Sequence, residues 1–304
     1  MTFKTKSKSK KNFVKVDNYQ EVTNEIIKAL ESGKTLPWVK PWKTTGTLRN
    51  AFTNRPYRGL NTIILGMQPY SDPRWATYNQ IKKNGGNVKK GESGTKVVLW
   101  KFIEDKKNEG KIIPLLRTFT IFNVSQAEFD ESSKLPTLAE LMKKGKENLP
   151  DTREDLEKVI KDTGAILNFG GNSAHYSPST DEVTMPTIES FKDSDSYYSV
   201  FFHELGHWSG AKSRLDREGI VEFDSFGSEQ YAFEELVAEL TSAFIGRDLS
   251  FDGTFQDNHA GYIKSWIKVL KDDKRAIFKA SSQAEKAAKF IMGSKAPKFE
   301  EENE

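Results

Sequence analysis

Apolar side chains recur at helical spacing early in the chain. Val22, Ile26, Ile27 and Leu30 fall on one side of a helix predicted over Tyr19 to Ser32. The aromatic and proline-rich stretch Leu36 to Lys43 and a polar loop follow. Helices are then predicted near Gly59 to Met67 and over Thr77 to Lys83, the second stopped by Gly85-Gly86. Two strand-like runs, Thr95 to Phe102 and Ile112 to Val124, flank the turn-rich Glu104 to Lys111 and predict a long antiparallel hairpin.

Beyond the polar stretch Glu128 to Pro136 the period is mainly helical. Helices are predicted over Leu138 to Leu149, Arg153 to Thr163, Ser194 to Ser209 and Ser228 to Ile245, and as one segment from Tyr262 to Lys289. Ala174 to Met185 contains Pro178 and Asp181 and reads as a hairpin or an irregular edge strand. The pattern predicts an α+β protein with two modest cores. Its parts are a basic tail at 1–16, domains at 17–130 and 131–294, and an acidic tail at 295–304. No run approaches the ~20 apolar residues that span a bilayer. The lysines at the N-terminus are not followed by the apolar segment of a secretory signal, so a cytoplasmic location without a membrane partner is expected.

Charge divides the chain at the same place. Residues 1–130 hold 24 Lys and Arg against 11 Asp and Glu, whereas residues 131–304 hold 22 against 32. The first half is therefore a candidate for polyanion binding and the second is not. The chain has no cysteine. Any transition metal must then be held by His, Asp or Glu.

The acidic half contains such a set. Tyr197 to Trp208 carries His203-Glu204-Leu205-Gly206-His207 within helical apolar spacing. Residues four apart on a helix lie about 40° apart around it and ~6 Å along it, which brings both imidazoles onto one ion. Glu204 directly follows the first ligand, as the motif requires of the base that activates water. A third histidine in the metzincin register would fall at Ser213, so that class is excluded. The gluzincin pattern instead takes a glutamate from a later helix. Ser228 is the predicted N-cap of that helix, and Phe233, Leu236, Val237, Leu240 and Phe244 form its stripe. Glu235 is assigned as third zinc ligand, with Asp216 as the alternative. Glu239 is assigned as the carboxylate that orients a ligand histidine. The hydrogen-bond donor to the transition state stays open between Tyr231 and His175.

In the basic half, aromatic residues interleave with cations: Trp38, Trp42, Arg55, Tyr57, Arg58, Arg74, Trp75, Lys89 and Lys90. Single-stranded nucleic acid is held by such pairing, with cations on phosphates and aromatic faces under bases. For the tryptophans and Tyr57, core and stacking roles are equally open on composition; Trp100, within Val97 to Trp100, is expected in the core.

From Tyr19 to Met292 the chain resembles the ArdC-type antirestriction proteins of conjugative plasmids. These are related to plasmid primase N-terminal regions and phage polyvalent-protein domains. The resemblance rests on Pro37-Trp38, Pro41-Trp42, Asn54 to Asn61, Arg74-Trp75 and Phe122 to Val124 in the first half. In the second it rests on Met185-Pro186, Tyr197-Tyr198, Phe202 to Trp208, Tyr231 to Leu240, Tyr262-Ile263 and Trp266. It implies a single-stranded-DNA-binding domain followed by a zincin-like (gluzincin) metallopeptidase domain, and protection of incoming plasmid or phage DNA from host restriction. Three readings are open. One is a DNA-tethered zinc endopeptidase that cleaves a host restriction or defence protein. Another is a non-catalytic single-stranded-DNA-binding protein that protects by occlusion and carries a structural zinc. The third is a toxin-like peptidase for which DNA binding is incidental.

Overall fold

The computed structural model describes residues 17–32, 48–104, 111–130, 133, 135–137, 153–191, 193–221, 228–251 and 260–293. The predicted helix over 138–149, the tip of the hairpin and both tails lie outside them. Helix α1 (Asn18–Glu31) starts where the Asp17 carboxylate accepts from the amides of Tyr19 and Gln20, and it buries the four predicted apolar residues. Helix α2 (Leu60–Gly66) follows Gly59, whose φ of 49° favours glycine. Strand β1 (Arg49–Asn50) runs parallel to β2 (Arg74–Thr77), and Thr77 and Gln80 form a reciprocal cap on α3 (Tyr78–Lys83). Strands β4 (Thr95–Glu104) and β5 (Ile112–Asn123) form the predicted hairpin and complete a sheet in the order β1-β2-β5-β4. Strand β3 (Gly86–Val88), which precedes the hairpin, and β6 (Ala127–Phe129), which follows it, make a separate antiparallel pair.

The second half opens with α4 (Glu154–Asp162) and a three-stranded sheet of β7 (Ile166–Phe169), β8 (His175–Ser177) and β9 (Glu182–Met185), ordered β7-β9-β8. The predicted hairpin is β8–β9; the parallel partner β7 was not anticipated. Helices α5 (Ser194–Trp208), α6 (Glu218–Val221), α7 (Glu229–Leu249), α8 (Ala260–Asp272) and α9 (Ala276–Met292) follow. The single helix expected from 262 to 289 is two. The Asp273 carboxylate accepts from the Arg275 amide, and the Lys274 carbonyl accepts from the Thr23 hydroxyl of α1 at 2.8 Å.

The two expected cores are also corrected. Buried apolar side chains form one continuous cluster from Val22 to Met292, beside a small cluster of Ala76, Ile81 and Ala127. The halves meet where Tyr19 packs edge-on against Phe278 and where Arg58 pairs with Glu285 at 3.4 Å. Trp100, expected in the core, is 41% exposed on the hairpin and packs against Tyr19 and Phe278. Among the described residues no helix is long and apolar enough to cross a membrane.

Candidate metal centre

Helix α7 is buried along most of its length and on most of its circumference, and α5 packs against it. Their approach is close at Gly206, where a Cβ would stand 3.1 Å from the Ala238 Cα. This packing carries ionisable side chains into the interior, where each needs a partner. His203 and His207 lie one turn apart on α5 with their Nε2 atoms 3.2 Å from each other. The Glu235 carboxylate of α7 straddles them, with Oε2 at 3.5 Å from His203 Nε2 and Oε1 at 3.5 Å from His207 Nε2. The three ligand atoms lie within 4.8 Å of one another and could hold one metal ion. The residues fit such an ion on two counts. Two imidazoles and a carboxylate are a zinc-type donor set, and two ligands ~2.0–2.1 Å from a tetrahedral ion stand about 3.3 Å apart.

The outer atoms of the imidazoles are engaged too. His203 Nδ1 is 3.4 Å from Glu239 Oε2, and His207 Nδ1 is 3.3 Å from Glu234 Oε1. Glu234 in turn receives the guanidinium of the buried Arg217. Burial lowers the basicity of both histidines, but the carboxylates outweigh it. Glu235 and Glu239 raise His203 well above the ordinary imidazole value, and Glu235 and Glu234 raise His207 to about 9. Burial likewise opposes ionisation of Glu234 and Glu235, yet both are held below the usual carboxylate range, Glu234 by His207 and Arg217 and Glu235 by the two imidazoles.

Glu204 sits beside the imidazoles, 8% exposed, and its Oε2 accepts from the Tyr176 amide of β8 at 2.9 Å. The group faces a cleft of about 1010 Å³ bounded by β8, Phe191, Val200, Tyr231 and Tyr262. Burial first, and then Glu235, push the Tyr231 phenol above its ordinary range, and its hydroxyl is 3.1 Å from that of Tyr262.

His203, His207, Glu235, Glu204 and Glu239 are thus brought together. Asp216, the alternative ligand, is exposed on a loop at φ 48° and is not in the group. His175 lies exposed on β8 at the cleft. Sequence reasoning missed Glu234 and Arg217; the Glu234-Glu235 doublet was the available signal.

The basic half is sorted differently. Arg55, Lys89 and Lys90 are exposed. Tyr57 is half-buried, and its phenol is pushed up by burial. Arg58 faces Glu285. Trp75 is 1% exposed and packs against Tyr70, and Arg74 is 3% exposed and paired with Asp72 at 2.7 Å. For these two the expected nucleic-acid contact is corrected: they belong to the interior. Trp38 and Trp42 lie outside the described residues.

Comparison with known proteins finds a separate family for each half. Residues 16–134 match the N-terminal domain of anti-restriction factor ArdC, and residues 154–283 match a zincin-like metallopeptidase. Two crystal structures of the antirestriction ArdC protein from plasmid R388 are similar to the chain. The metal-free one has a TM-score of 0.74 at 36% identity over 92% of this chain and 98% of that one. The Mn(II)-bound one has a TM-score of 0.73 at 36% identity over 92% and 99%. The chain is 35% identical to the uncharacterized protein y4eC of Sinorhizobium fredii over 90% of its own length and 91% of the relative's. It is 36% identical to a DNA primase TraC of Escherichia coli over 95% of its own length, but spans only 28% of that primase. The protein belongs to the ArdC family, with an ArdC-type N-terminal domain joined to a zincin-like domain.

Proposed function

We propose that this protein is an antirestriction factor that binds single-stranded DNA through its basic half and hydrolyses a peptide bond, with zinc, in its acidic half. The convergence of His203, His207 and Glu235 beside Glu204 in an open cleft carries the reading. His203, His207 and Glu235 would hold the zinc, which when bound supplies Lewis acidity toward the scissile carbonyl. Glu204 takes a proton from the attacking water as its oxygen bonds to the carbonyl carbon. It then delivers that proton to the amine nitrogen as the C–N bond breaks. The Tyr176 amide fixes the Glu204 carboxylate for both transfers. Tyr231, next to Glu235, is placed better than the exposed His175 to donate to the carbonyl oxygen.

Arg55, Lys89 and Lys90 supply cationic surface for the DNA strand, with Tyr57 and Arg58 half-buried behind. Tethering to incoming plasmid or phage DNA would bring the cleft to a host restriction or defence protein. The test is Glu204→Gln, assayed for proteolysis, for protection of incoming DNA and for bound metal. Loss of the first two with metal retained is expected. Full protection by the variant would instead leave occlusion of the DNA as the mechanism.

A further inference from the structure

The two candidate ligand imidazoles are backed in unlike ways. Glu239 stands behind His203, whereas Glu234 stands behind His207 and is itself gripped by an arginine. That arginine, Arg217, comes from the loop between α5 and α6 and is 5% exposed; Glu234 is 2% exposed. Its Nε donates to Glu234 Oε2 at 3.0 Å, its Nη1 to Ser209 Oγ at 2.8 Å and its Nη2 to the Gly206 carbonyl at 2.6 Å. One guanidinium thus joins the carboxylate behind His207 to the C-terminal turn of the helix that carries His207.

The surrounding backbone is shaped to this pair. A Cβ at Gly210 would stand 2.7 Å from Arg217 Nη2, and one at Gly219 would stand 2.8 Å from the Glu234 Cβ. Gly210 on the loop and Gly219 on α6 therefore admit the arginine and its partner. A buried carboxylate without a cation would be costly. Arg217 fixes the Glu234 carboxylate 3.3 Å from His207 Nδ1, where it accepts from that atom and leaves Nε2 to ligate.

We propose that Arg217 is a positioning residue of the metal centre, holding Glu234 against His207 so that His207 presents Nε2 to the ion. The proposal rests on the reading that His203, His207 and Glu235 hold a metal. Arg214 provides a comparator within the same loop. Its guanidinium anchors the loop through the Trp208 carbonyl, Asp181 and the Tyr176 hydroxyl rather than through Glu234 or His207.

The experiment is Zn(II) affinity by competition with a chromophoric chelator, together with the melting temperature of the metal-free protein. It uses the full chain and the variants Arg217→Met, Glu234→Gln, the double variant, Arg214→Met and His207→Ala. Arg217→Met and Glu234→Gln are each expected to weaken Zn(II) binding about 10- to 100-fold. The double variant should be no weaker than the worse single one, since both remove the same support. Arg214→Met should lower the melting temperature and leave affinity within threefold. If Arg217→Met and Glu234→Gln both bind within threefold of wild type, the arginine only staples the loop and the proposal is overturned. Should Arg217→Met fail to fold, Glu234→Gln decides by the same threshold. Wild-type protein that binds no Zn(II) would remove the metal reading and this proposal with it. Binding lost in His207→Ala but kept in the other variants removes this proposal alone.

Discussion

The two halves treat charge in opposite ways. In the acidic half, Glu204, His207, Arg217, Glu234, Glu235 and Glu239 are each less than 10% exposed, and each faces a defined partner. In the basic half, Lys82, Lys83, Lys89 and Lys90 stand in solvent. Arg74, the buried cation among the described residues of this half, is tied to Asp72. A buried charge is useful only in one arrangement, so single substitutions there should act strongly. Exposed cations act through their number and should yield only by increments.

The largest effect is expected at the straddling carboxylate. Glu235→Ala should take bound zinc from one equivalent to none, measured by elemental analysis after loading and desalting. Glu239→Ala, which leaves all three proposed ligands in place, should retain the equivalent with affinity about 10–100-fold weaker. Stoichiometric zinc in Glu235→Ala would transfer the third ligand to Glu239 and erase the distinction between them.

Trp75→Ala crosses the comparison, because it places a core residue in the half read from composition as DNA-binding. Its indole is 1% exposed, so the substitution should cost about 3–5 kcal/mol of folding stability by denaturant titration. A variant as stable as wild type with impaired DNA binding would return Trp75 to the surface role.

How far each half was legible follows from the same contrast. The His203, Glu204 and His207 spacing is local, and helix geometry alone converts it into convergence. The caps at Asp17, Thr77 and Ser228 are also local, and the corresponding helices start within one residue of where the pattern places them. Arg217 was hidden because its partner lies 17 residues away and its meaning depends on burial. Strand β7 was hidden because its parallel pairing with β9 is non-local. The break at Asp273 was hidden because helical apolar spacing continues through it, while a contact from Thr23 marks it in space. Composition could not separate Trp75 from a stacking platform, since an indole serves either purpose.

A pH dependence confined to the metal-free protein is expected next. His207 has a folded value of about 9, above the ordinary imidazole 6.5, and His203 is shifted the same way. A raised folded value means that the protonated imidazole stabilises the fold. That contribution is fully present below about 6.5 and is lost as pH rises through about 9. The melting temperature of chelator-treated protein should therefore fall across this window. Zinc-loaded protein should not show that fall, because the ligands are already unprotonated. Parallel curves for the two forms would mean that these histidines are not the ones the metal occupies.

The smallest effect is expected from the exposed lysines, and it is the counterpart of the first. Lys89 and Lys90 follow β3, and the Lys89 ammonium also donates to the Ser125 carbonyl at 3.1 Å. Lys89→Glu with Lys90→Glu should change folding stability by no more than about 0.5 kcal/mol, since neither side chain is buried. Each phosphate contact to a single strand contributes about 0.7 to the slope of log affinity against log salt. If both lysines touch the strand, the slope for a single-stranded oligonucleotide should shrink by about 1.4, with affinity reduced at low salt and the wild-type difference narrowing as salt rises. An unchanged slope would place the strand elsewhere on the basic half. A large loss of stability would show that these charges, like those around the metal centre, are part of the fold, and the contrast between the halves would fail at its most exposed point.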